Sequence, residues 1–120
     1  MPRKTSAAAK WESLRKAALA LPGTWEDHPW GEVVVKVGKK VFVFMGLPDA
    51  DTVRVTVKLT EAHDHALSIP DAAPAGYGLG KSGWVFLPIT SVEQDLLEEC
   101  LEESYRNVAP KKLIAELDRA

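Results

Sequence analysis

The stretch from Gly31 to Lys58 constrains this chain more than any other. It holds three runs with strand character, Glu32–Val37, Lys40–Met45 and Thr52–Lys58, separated by turn residues. β-Branched and aromatic side chains crowd these runs, and such side chains suit a pleated, half-buried surface. Gly38-Lys39 reads as a two-residue hairpin turn with a basic tip, Lys39-Lys40. That turn pairs Val35 with Phe42 and sets Phe42 and Phe44 on the core side with Val33, Val35 and Val37. A three-residue turn would put Phe42 beside Lys36 instead, because one residue of slip moves every side chain to the other face. The first register, with both phenylalanines in the core, is the expectation. In the third run Val53, Val55 and Val57 alternate with Arg54, Thr56 and Lys58. One face is therefore expected in the core and the other to be basic and solvated.

The remaining segments read as helices and loops laid on that sheet. Trp11, Leu14, Ala18 and Leu21 stripe a helix over Ala7–Leu21, ended by Pro22-Gly23. Thr24–Trp30 reads as a loop rich in breakers, with Trp25 and Trp30 capping the core edge. Thr60 is the expected N-cap of a short helix, Glu61–Leu67. The loop Ser68–Gly83 follows, with Tyr77–Leu79 as a short edge strand. Trp84–Leu87 is a strand ended by Pro88. Thr90-Ser-Val-Glu93 and Ser91-Val-Glu-Gln94 are capping boxes in successive registers. They open a helix to about Asn107, striped by Leu97, Cys100, Leu101, Tyr105 and Val108. Pro110 suits the first turn of a last helix, with Leu113, Ile114 and Leu117 inward.

The fold class expected is two-layer α+β, an antiparallel sheet of four to five strands packed against helices. At 120 residues and 46% hydrophobic, the chain can build one core and one domain over 1–120, residues 1–5 being frayed. Cys100 is the lone cysteine and has no intrachain partner, which suits a reducing compartment. Met1–Ser6 has basic residues with no apolar stretch behind them, and no apolar run approaches the ~20 residues of a membrane span. A cytoplasmic location and no membrane contact are expected. Net charge is −2, yet it is polarised: residues 1–20 are basic, whereas Glu93, Asp95, Glu98, Glu99, Glu102 and Glu103 make the late helix acidic.

The motifs that suggest chemistry fail on context. Ala75–Ser82 resembles a phosphate-binding loop, and Gly78–Gly83 matches GxGxxG, but Gly83-Trp84 leads into a strand where both motifs need a helix N-terminus. His63 and His65, two apart on a helix, point in nearly opposite directions and cannot meet one ion; Glu61 and His65 share a face, but two ligands are too few. Cys100 lies on an apolar stripe among carboxylates, which raises its pKa and makes it inert. No catalytic residue, metal or cofactor is expected. Tyr77, Lys81 and Trp84 place an aromatic, a cation and an aromatic in one glycine-rich segment, a set able to grip a base, a phosphate or a peptide.

Several segments in order carry a family resemblance: Leu19–Gly23, His28–Gly31, Val35–Phe42, Val55–Leu59, Gly76-Tyr77 through Lys81 to Trp84-Val85, and Glu103–Arg106. Together they resemble the MmcQ/YjbR family of small bacterial proteins. The resemblance implies a two-layer α+β fold in the order α-β-β-β-α-β(-β)-α-α, similar in topology to type III secretion chaperones. It also implies the "double-wing" DNA-binding label often given to that family. Many members carry Tyr-His before the Lys and Trp of the glycine-rich segment. Gly78 follows Tyr77 here, so that histidine's role is absent.

The leading expectation is a non-enzymatic domain that binds DNA weakly and without sequence selectivity. Lys36, Lys39, Lys40, Arg54, Lys58 and Lys81 would neutralise phosphates, with Tyr77 and Trp84 as contact aromatics. The rival is a protein-interaction module, a chaperone-like adaptor using the open sheet face or its edge. The sequence carries no sign of oligomeric state.

Overall fold

Apolar side chains at consecutive positions of the central runs decide how this sheet is built. The computed structural model describes residues 6–47, 53–76 and 79–119. Expectations for residues 1–5, Thr52, Tyr77 and the Trp30 side chain lie outside the described residues. Four strands follow from the N-terminal half: Thr24–Asp27 (β1), Val33–Val37 (β2), Lys40–Gly46 (β3) and Arg54–Lys58 (β4). Ala73–Pro74 (β5) and Trp84–Pro88 (β6) complete an antiparallel sheet of six strands in the order β1-β2-β3-β4-β6-β5. Helices Ser6–Leu19 (α1) and Gln94–Val108 (α3) cover one face. His63–Leu67 (α2) and Lys111–Arg119 (α4) complete the helix set. The class is α+β, with six strands where four to five were expected.

The two additional strands lie at the sheet edges. Thr24–Asp27 is a strand, and only Pro29–Gly31 forms a 3-10 turn. Its residues, Thr-Trp-Glu-Asp, carry no apolar alternation from which a strand could be read. Trp25 does not cap the core: it is 45% exposed, its ring lies under Lys36 Nζ at 5.1 Å, and its indole N–H donates to Gly38 O at 2.8 Å. At the other edge, Leu79 opens a 3-10 turn, Leu79–Ser82, and the edge strand is Ala73–Pro74. Proline is tolerated there because an edge strand needs no N–H on its free side.

The hairpin keeps the expected two-residue turn, with Val37 opposite Lys40 and Gly38 at φ 64°. Its register then slips twice. Lys36 faces Val41 and Val35 faces Val43, so Phe42 is an extra residue; Val34 faces Phe44 and Val33 faces Gly46, so Met45 is another. Such β-bulges re-aim side chains. Phe42, Val43 and Met45 all turn into the core, each fully buried, while Phe44 turns to the opposite face. The expected pairing of Val35 with Phe42, and the core position of Phe44, are thereby corrected. Val53, Val55 and Val57 are buried as the alternation required.

Residues 103–107 of α3 stitch the helix layer to the sheet. Ser104 Oγ accepts the Lys58 N–H and donates to Phe42 O, just past the point where the β3–β4 ladder ends at Val43–Val57. Asn107 Nδ2 donates to Lys58 O at 2.9 Å. Tyr105, fully buried, meets Phe42 edge-on at 5.4 Å and donates its hydroxyl to Pro22 O. Glu103 Oε2 accepts the N–H groups of Thr60 and Ala62. Thr60 is therefore not the cap of α2. A carboxylate from another helix satisfies those donors, and α2 starts at His63 with no side-chain cap. The two capping boxes before α3 do not form either. Glu93 is its N-cap residue and makes no capping hydrogen bond.

Candidate functional site

On the face away from the helices, strand alternation sets Val34, Phe44, Thr56 and Phe86 side by side across β2, β3, β4 and β6. Ala75, Gly76 and Leu79 rise over one side of this floor, and Pro29 and Glu32 stand on another. They enclose a cavity of about 370 Å³. A second cavity, about 260 Å³, shares Glu32, Phe44, Thr56 and Phe86 with the first and runs on to Gly46, Leu47 and Arg54. The shared lining makes them one trough, apolar at one end and charged at the other.

Trp84, two residues before Phe86 in β6, flanks the floor on the same open face. It is 8% exposed and meets Phe44 edge-on at 5.3 Å across β4. Arg54 is exposed at the charged end, its guanidinium carbon 4.2 Å from the centre of the Phe86 ring. Among the described residues no carboxylate pairs with Arg54 and no cation pairs with Glu32. Thr56 is buried between the two phenylalanines, so this face is not solvated throughout. Its outward row combines a buried floor with one exposed cation.

The other cations expected to act with Arg54 lie apart from it. Lys36 is engaged with Asp27 Oδ2 at 2.8 Å and with the Trp25 ring. The Lys36 hydrogen bond, helped by the His28 N–H, holds the Asp27 carboxyl below the usual aspartate range. Lys39 and Lys40 sit at the hairpin tip, where a shallow hollow of about 280 Å³ joins them to Val108 and Pro110 at the α3–α4 corner. Arg54 belongs to the other end of β3, its carbonyl against Gly46. Lys58 is half-buried opposite Trp84, and Lys81 is exposed on the 3-10 turn. The structure thus brings Arg54 into the trough and leaves the lysines dispersed.

The acidic side chains Asp95, Glu98, Glu99 and Glu102 are exposed on α3, on the helix layer. Cys100 is buried there, its thiol pushed up to about 11 by burial and by Glu103 and Glu99. It stays protonated at neutral pH, as its place on the apolar stripe required. Among the described residues no group of three or more His, Cys, Asp or Glu side chains could hold a metal ion, and no helix is long and apolar enough to cross a membrane.

Phe44, Phe86 and Glu32 form the trough, and none of them was a candidate from sequence. The run Val41–Met45 is apolar at every position, so it carries no alternation from which a bulge could be read. Glu32 and Phe86 gain their significance only when β2 and β6 lie on either side of β3 and β4.

The YjbR family model matches residues 19–107, and the chain belongs to that family. No curated protein matches the chain.

Proposed function

We propose that this member of the YjbR family is a non-catalytic binding module that holds a small amphipathic ligand in the trough on the open face of its sheet. The observation that carries this is the apolar cavity of about 370 Å³, which opens beside two charges with no protein partner among the described residues. Small-ligand sites are concave, mostly apolar and marked by a few placed polar groups, with volumes from roughly 300 Å³ upward. The test uses a neutral apolar probe, indole, titrated into 15N-labelled protein. Amide shifts should concentrate at Val34, Phe44, Thr56 and Phe86. Gly76→Leu should remove them, since Gly76 lines the trough and a Cβ added there meets nothing within 4 Å. Shifts scattered over the surface, or unchanged in Gly76→Leu, would refute the reading.

A second reading, weak DNA binding, is favoured by one observation. The exposed Lys39-Lys40 tip lies against Pro110, and Lys111 and Lys112 follow at the exposed start of α4. Lysines at a tip present point charges to phosphates and no bidentate edge to bases. With about four phosphate contacts, affinity should fall roughly as the 3.6 power of salt concentration. Fluorescence anisotropy of a short duplex should show that slope, and Lys39→Glu with Lys40→Glu should abolish binding while circular dichroism stays unchanged. Undetectable binding at low salt would remove this reading.

A further inference from the structure

We infer that the trough selects a zwitterion of the apolar α-amino acid type: carboxylate on Arg54, ammonium on Glu32, side chain in the cavity between Phe44 and Phe86. This rests on the reading of the trough as a ligand site.

Arg54 supplies the first part. Its guanidinium carbon lies 4.2 Å from the centre of the Phe86 ring, and among the described residues no carboxylate takes its N–H groups. A planar fork of that kind matches a carboxylate with two parallel hydrogen bonds. Glu32 supplies the second part. It lines both the charged and the apolar cavity, and it forms no ion pair with Arg54. A ligand reaching from Arg54 into the apolar cavity has Glu32 in the lining of both parts.

These two charges discriminate among ligand classes. A phosphate or other dianion would gain Arg54 but be repelled by Glu32. A simple amine would gain Glu32 and be repelled by Arg54. A neutral apolar molecule would fill the cavity and leave both charges unmatched. Only a ligand with adjacent charges of opposite sign satisfies both, and specificity of this kind comes from repulsion as much as attraction. The apolar end sets the side chain: Val34, Phe44, Leu79 and Phe86 suit an aromatic or branched aliphatic group, and the cavity of about 370 Å³ accommodates one. Both charged side chains are exposed, so affinity is modest, in the range where fast-exchange titration works well.

The experiment is a 15N-edited titration with L-phenylalanine, L-phenylalaninamide, 3-phenylpropionate and indole. L-Phenylalanine should shift Phe44, Thr56 and Phe86 amides saturably. The amide, which lacks the carboxylate, and phenylpropionate, which lacks the ammonium, should each bind at least about tenfold more weakly. Arg54→Gln should erase the preference over the amide, and Glu32→Gln the preference over phenylpropionate. Both positions are exposed, so both variants should fold, with circular dichroism as the check. Indole or phenylpropionate binding in the trough as tightly as L-phenylalanine would overturn the zwitterion while keeping the trough as a site. If none of the four probes shifts the trough amides, both the ligand class and the trough reading fall.

Discussion

The two faces of the sheet are made by the same strands and the same alternation, yet they end in different states. On the helix-covered face, Phe42, Val43, Met45, Val55, Val57, Val85 and Leu87 are fully or almost fully buried. The polar groups at that interface are engaged: Ser104 and Asn107 bind the backbone of β3 and β4, and Glu103 binds the turn before α2. On the open face, Phe44 and Phe86 stay half-buried, and Arg54 and Glu32 keep their charges unmatched among the described residues. The first face is finished as a core. The second is partly walled by Ala75, Gly76 and Leu79 and stops short of closure, and a ligand needs such a surface.

The largest expected contrast comes from the two phenylalanines of β3. Phe42→Ala should cost about 3–5 kcal/mol, because it removes a fully buried ring and leaves a cavity beneath Tyr105. Phe44→Ala should cost roughly 1–2 kcal/mol, since its ring is only half withdrawn from water and the site can fill with solvent. Urea unfolding of both variants measures this. Equal losses would mean that the open face is a second core.

A smaller effect sharpens the contrast for polar groups. Ser104→Ala strands the Lys58 N–H and the Phe42 carbonyl in a buried place, at a cost of about 1–3 kcal/mol. Arg54→Ala, at an exposed site with no carboxylate partner among the described residues, should change stability by no more than about 0.5 kcal/mol. A large loss at Arg54 would assign it a structural duty and weaken the case for a ligand contact.

The contrast between faces also explains what could be read from the sequence. The alternation Val53/Arg54/Val55/Thr56/Val57 placed β4 correctly, because each residue type matched its face. The stripe Leu97, Cys100, Leu101, Tyr105 placed α3 for the same reason. Phe44 was misplaced because Val41–Met45 is apolar throughout, and two bulges redirected it without leaving a trace in composition. Thr60 looked like a cap by local pattern, but the acceptor that serves the turn is Glu103, more than forty residues away. Arg54 was legible as an outward cation. That it lines one cavity with Glu32 was not, since Glu32, Phe44 and Phe86 meet only in the folded sheet. The family's Glu103–Arg106 segment was recognisable as a pattern, and the structure gives it a physical content: one residue caps a turn, one bridges two strands, one anchors Pro22, and Arg106 pairs with Glu102 and Asp118.

The smallest effect expected is in the acid range, where each layer carries one exposed ion pair that depresses an aspartate. Asp27 is lowered by its hydrogen bond from Lys36 and then by the His28 N–H; Asp118 is lowered by its hydrogen bonds from Arg106. A carboxyl whose folded pKa lies below its unfolded value contributes stability that is present above that unfolded value, near 3.8, and is lost as pH falls through the depressed folded value. Both groups lie at the surface in contact with water, so the loss on acidification is slight and is best seen at the residues themselves. Carboxyl 13C titration should give midpoints below 3.8 for Asp27 and Asp118. Lys36→Gln should raise the Asp27 midpoint part of the way back, because the His28 N–H remains, and leave Asp118 unmoved. Arg106→Gln should do the reverse. An Asp27 midpoint at or above 3.8 in the unaltered protein would show that Lys36 is not held by Asp27. Lys36 would then be a free cation on the open face beside Trp25, and the charge of that face would have to be counted again.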